Sequence, residues 1–109
     1  MANNVGFAQT ASLQSAQTAT NTGTPVPGPA SARTFHASGA TSAGAGSATI
    51  AIKGSMNGAS WDTLGTITLT LGTTATSDGF TSDDRYALVR ADVTAISGTN
   101  ASVTATMGY

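Results

Sequence analysis

Residues 47–71 read SATIAIKGSMNGASWDTLGTITLTL, and two alternating runs within them leave the chain little choice of fold. Ile50, Ile52 and Met56 alternate with Thr49, Ala51, Lys53 and Ser55; Ile67, Leu69 and Leu71 alternate with Thr66, Thr68 and Thr70. A period of two in β-branched and apolar residues belongs to a strand with one buried face. Between the runs, Asn57-Gly58 tolerates positive φ and reverses the chain. The expected product is an antiparallel hairpin. Trp61 opens its returning strand and is the single tryptophan of the chain. As the largest apolar side chain it is expected to plug one end of the core, or else to serve as a stacking platform at the surface.

The same period recurs on both sides of the hairpin. Phe35 and Ala37 alternate with Thr34, His36 and Ser38 in a strand, and residues 39–46 (GATSAGAG) read as a flexible turn. Residues 72–84 read as a longer polar loop around Asp78-Gly79 and Phe80. Residues 86–96 then form a strand, with Ala87, Val89, Ala91, Val93 and Ala95 on one face and Tyr86, Leu88, Arg90, Asp92 and Thr94 on the other. After a turn at residues 97–100, Val103, Ala105 and Met107 alternate with Ser102, Thr104 and Thr106 in a last strand expected to pair with the one before it. No stretch of useful length has a helical period. The expected fold class is all-β, an antiparallel β-sandwich or jelly roll with an extended N-terminal arm.

The division of the chain is drawn at residue 32. Residues 1–32 are rich in Ala, Thr, Gln and Ser, with Val5, Phe7 and Leu13 as apolar anchors and all three prolines, Pro25, Pro27 and Pro29, close together. The prolines block helix and interrupt strand pairing. Extended at roughly 3.3 Å per residue, such an arm reaches about 100 Å. It either lies on a neighbouring subunit, or is a frayed tail or a first strand folded back on its own sheet. Residues 33–109 form the sandwich domain.

Charge bears on function more than on fold. Charged residues make up 8% of 109, against roughly 25% in an ordinary soluble domain. A surface of Thr, Ser, Ala, Gly and Asn does little to prevent association, so the chain is expected to pack against copies of itself or a larger assembly. Arg33, Lys53, Arg85 and Arg90 are scattered and the net charge is −1, which gives no basic stripe for nucleic acid. No apolar run reaches membrane-helix length, and the N-terminus has neither a basic start nor an apolar core, so cytoplasmic synthesis without a membrane partner is expected.

Catalysis finds little footing. His36 is the single histidine, glutamate is absent, and no nucleophile-bearing motif is present; no enzyme activity and no cofactor are expected. Asp78, Asp83 and Asp84 offer oxygen ligands of the type Ca²⁺ takes, but the spacing matches no EF-hand loop and a polar turn explains them equally well. Arg90 and Asp92, two apart on one face, interact along the strand or across to a partner, where they would set register at an interface, or else form a solvated face. The candidate partner-binding residues are therefore Val5, Phe7, Leu13, Pro25, Pro27, Arg90 and Asp92. Asn57, Trp61 and Asp62 form an alternative sugar-stacking set.

The run IKGSMNGASWDTLG at 52–65, Asp78-Gly79-Phe80, the strand YALVRA at 86–91 and the closing SGTNASVT at 97–104 resemble small structural proteins of tailed bacteriophages over residues 33–109. The first run is also similar to the turn of galactose-binding-type jelly rolls, with Met56-Asn57 where Asn-Asp is more usual. The resemblance implies a capsid decoration or cement protein on the virion surface, with the major capsid protein as partner and a homotrimer or homodimer as its state. It leaves open a tail-tube or connector subunit, and a carbohydrate-binding module of a tail fibre or baseplate.

Overall fold

The structure, a computed structural model, describes residues 10–27, 33–82 and 86–108. These residues form strands and turns without a helix. Eight strands follow in order: β1 (Thr10–Gln17), β2 (Val26–Pro27), β3 (Arg33–Ala40), β4 (Ala43–Ser55), β5 (Asp62–Leu71), β6 (Thr76–Ser82), β7 (Leu88–Thr99) and β8 (Ser102–Gly108). They build two four-stranded antiparallel sheets, β1-β8-β3-β6 and β2-β7-β4-β5. The pairing is nested: β4 with β5, β3 with β6, β2 with β7 and β1 with β8. The molecule is a slab of 41 × 39 × 18 Å, two layers thick.

The central hairpin forms as its alternation predicts. Ala48, Ile50 and Ile52 of β4 and Ile67, Leu69 and Leu71 of β5 are buried, while Thr66, Thr68 and Thr70 are exposed. Phe35 and Ala37 of β3 and Val103, Ala105 and Met107 of β8 meet them from the other sheet. Alternation thus places one face of each strand in a single core, where each large side chain contributes roughly 1.5–3 kcal/mol through burial.

Two β-bulges reverse the faces that alternation predicts. On β5, Gly65 pairs with Ile52 and Thr63 with Lys53, so Leu64 is an extra residue. One extra residue exchanges the two faces of a strand. Trp61, which shares odd-numbered parity with Ile67 and Leu69, therefore leaves the core side and joins Lys53 on the outer face. It is half-exposed and does not plug the core. On β7, Ala95 pairs with Thr49 and Val93 with Ile50, leaving Thr94 extra; its hydroxyl donates to the Thr49 carbonyl at 3.2 Å. Past that point Ile96 packs on the core and Ala95 is exposed, so Ala95 leaves the face on which alternation groups it with Val89, Ala91 and Val93.

Three further expectations are corrected. The last strand, β8, pairs with β1 and β3 and not with β7. Both edges of β7 are already taken, by β4 on one side and by residues 21–27 on the other, so the turn at 98–101 carries the chain into the opposite sheet. Residues 72–84 are not one loop, because β6 lies within them and pairs with β3 from Arg33↔Ser82 to Gly39↔Thr76. The turn expected over 39–46 contracts to Thr41-Ser42, with β3 and β4 extending into it.

Within the region expected as an arm, residues 10–27 belong to the sandwich. β1 lies along β8, and Leu13 enters the core at 5% exposure. The following strap runs along β7, with backbone hydrogen bonds between Asn21 and Val93 in both directions and with Val26 opposite Val89. Residues 1–9 lie outside the described residues.

Candidate interaction surface at one end of the sandwich

The hairpin tip is held by side-chain bonds to its own backbone. Ser55 Oγ accepts from the amides of Asn57 and Gly58 at 3.2 and 2.8 Å, and Asn57 Oδ1 accepts from those of Ala59 and Ser60 at 2.9 and 3.0 Å. Gly58 has φ +77°, a conformation that costs glycine nothing. This tip delivers Trp61, whose Nε1 donates to the Gly58 carbonyl at 3.2 Å. Met56, in the same hairpin tip, is 68% exposed, the large apolar side chain most open to solvent among the described residues.

Two glycines leave space for aromatic rings at this end of the core. A β-carbon at Gly65 would lie 2.5 Å from Phe80 Cζ, and one at Gly54 would lie 2.6 Å from the Tyr86 ring. Phe80 also stacks at a tilt on Phe35, 5.4 Å between centroids. Phe80 and Tyr86 thus occupy the positions expected of Trp61. Tyr86 hydroxyl reaches Asp62 Oδ2 at 3.1 Å.

On the outer face of this end, Lys53 and Arg90 are directly paired across β4 and β7. The Arg90 guanidinium lies 4.2 Å from the centroid of the Trp61 ring, a cation–π contact. Its Nε is 3.1 Å from Asp92 Oδ1, an ionic contact without the alignment of a hydrogen bond. Lys53 Nζ is 3.6 Å from Asp92 Oδ2. Asp92 Oδ1 also accepts the amide of Gly23 at 3.0 Å, so the carboxylate binds the strap to β7. With two cations and a backbone donor around it, the Asp92 charge is compensated where the strap buries it.

Gln14 completes the clasp from the other sheet. It is 4% exposed, and its Nε2 donates to the Ala91 carbonyl at 2.7 Å and to Asn21 Oδ1 at 2.6 Å. The sequence reading missed Gln14 because an amide within a polar run carries no periodic signal.

Of the predicted partner-binding residues, Arg90 and Asp92 are brought together and Leu13 is withdrawn into the core. Pro25 and Pro27 are exposed along the strap, while Val5 and Phe7 lie outside the described residues. The alternative set is gathered at the hairpin tip: Asn57 is used by the turn, Asp62 by Tyr86, and Trp61 carries Arg90 on one ring face. His36 is exposed on the outer face of β3. Among the described residues no three acidic or histidine side chains gather as a cation set; Asp83 and Asp84 lie outside them.

No family model matches this chain, and no curated protein matches it. A solved structure does. PBSX exported protein XepA, a phage-related protein, superposes with a TM-score of 0.50 at 16% identity. The match takes in 99% of this chain and 38% of that one, so the chain spans well under half the length of that structure. At this identity the likeness is one of fold: the β-sandwich recurs as part of a larger protein.

Proposed function

We propose that this chain is a structural subunit of a phage particle, a decoration protein that binds the outside of the assembled shell and bridges neighbouring major capsid subunits. The observation that carries this reading is the slab itself. Its 18 Å thickness against faces of about 40 Å suits a tile, and among the described residues the outward rows of the β1-β8-β3-β6 sheet hold no Lys, Arg, Asp or Glu. Across that face the outward residues run Ser12, Thr106, His36 and Gly79 in one row and Thr104, Ser38 and Ser77 in the next. Depletion of charge is characteristic of interface centres. The nested strand order 1-8-3-6 and 2-7-4-5 is that of a jelly roll, an architecture used in viral capsids and in lectins. The likeness to a phage-related exported protein supports the same setting, although a fold by itself carries no function.

In this mechanism each copy makes many weak contacts to more than one shell subunit, so the assembled shell is bound in preference to the free subunit and is stabilised by mass action. The test is the number of copies per purified particle, by quantitative mass spectrometry against the major capsid protein. A count comparable with that of the shell subunits is expected. A count of a few rings would overturn decoration in favour of a tail-tube or connector subunit, and absence from the particle would remove the structural reading.

A further inference from the structure

The two sheets end in four edges, and three of them carry devices that discourage pairing with another strand. β1 is broken in register twice, between Ser12 and Gln14 and between Gln14 and Gln17, with Ala16 at φ +48°. β2 contains Pro27 and follows Pro25. β6 carries the exposed Asp78, whose carboxylate takes up the amide of Gly79 at 2.8 Å. Bulges, prolines and charges are the means by which natural edges are protected.

β5 is different. After its bulge at Leu64, residues 65–71 (GTITLTL) pair with β4 in unbroken register from Ile52↔Gly65 to Gly46↔Leu71. They contain no charge and no proline. The Thr70 carbonyl accepts from the Thr76 hydroxyl at 3.0 Å and so faces away from β4. The period of the strand directs the amides and carbonyls of Thr66 and Thr68 to the same side.

We infer that the outer edge of β5, which pairs with no strand other than β4 among the described residues, is a docking edge for a second copy of this chain, paired antiparallel about a two-fold axis at Thr68. The strand is complementary to itself in that register. Residue 66 lies opposite 70 and 68 opposite its own copy, giving threonine pairs on the outer face; Ile67 lies opposite Leu69 on the inner face. No charge is left to match or to repel. Cross-strand threonine pairs and aligned apolar pairs each favour such a ladder, and a two-fold contact of one patch with itself closes without generating a filament. The Thr70 carbonyl exchanges the Thr76 hydroxyl for an amide of the second copy. The result joins the two β2-β7-β4-β5 sheets into one continuous sheet. This inference does not rest on the virion reading, because the pairing is a property of the isolated chain.

The test uses the purified 109-residue chain in light-scattering chromatography over a concentration series. A mass twice the 10.7 kDa of the chain is expected, and Thr68→Lys, which sets two ammonium groups face to face, is expected to halve it while leaving the circular dichroism unchanged. The chain has no cysteine, so Thr68→Cys provides a probe independent of that charge. Opposed Cα atoms in an antiparallel bonded pair lie about 5.5 Å apart, within disulfide reach. Mild oxidation is expected to cross-link Thr68→Cys and not Thr34→Cys on the opposite sheet. A wild-type monomer throughout the series would overturn the inference. So would a dimer that persists in Thr68→Lys while Thr68→Cys stays uncross-linked, because the copies would then meet elsewhere.

Discussion

Asp92 joins contacts from three stretches of the chain. Its carboxylate meets Arg90 of its own strand, Lys53 of β4 and the amide of Gly23 in the strap. Asp92→Ala should destabilise the fold by about 1–3 kcal/mol, the cost of leaving a buried donor without its acceptor. Lys53 is partly exposed and regains water, which keeps the loss below that of a fully buried pair. Asp92→Asn keeps an acceptor for Gly23 and should lose less; urea denaturation of the two variants measures the difference. Trp61 lies outside the core, so Trp61→Ala should cost about 1 kcal/mol, the scale of an exposed cation–π contact, and not the roughly 3–5 kcal/mol of a deleted core aromatic. The same titration checks this value.

At the scale of the elements, bulges and glycines decide which side chains share a layer. The extra residue at Leu64 sends Trp61 outward, and Gly65 next to it admits Phe80 from the facing sheet. Gly65→Ala puts a methyl group against that ring and should cost about 1–3 kcal/mol through overpacking. Gly72→Ala, where nothing lies within 4 Å, should stay within about 0.5 kcal/mol of the parent. The thermal midpoints of the pair test whether the ring is held where Gly65 leaves room.

For the whole molecule, the N-terminal segment is the element that closes one side of the slab. β1 covers the edge of β8, residues 21–27 cover that of β7, and Gln14 bonds across from one sheet to the other. Deleting residues 1–27 would uncover two long strand edges and remove Leu13 from the core. The expected outcome is loss of cooperative unfolding with aggregation through the bared edges, read by near-ultraviolet circular dichroism and size-exclusion chromatography. A soluble, cooperatively unfolding product would mean that the sandwich closes without its first strand.

What the sequence determined by itself is the class of fold, the central hairpin and most of the buried set, from Phe35 and Ala37 through Ile50, Ile67 and Val89 to Met107. Burial on one face of a strand imposes a period of two, and that period is a local property of the chain. Arg90 and Asp92 could be matched in the same way, being two residues apart on one strand. Tertiary structure alone decided the rest. Whether Leu64 and Thr94 bulge depends on the partner strand, and each bulge exchanges the faces beyond it, which is why Trp61 and Ala95 lie where alternation does not place them. The pairing of β8 with β1 and β3, and the use of residues 10–27 to cover two edges, depended on which backbone hydrogen bonds remained unmade once the central strands had paired. Those bonds join residues as distant in sequence as Thr10 and Gly108, and no pattern within either segment names its partner.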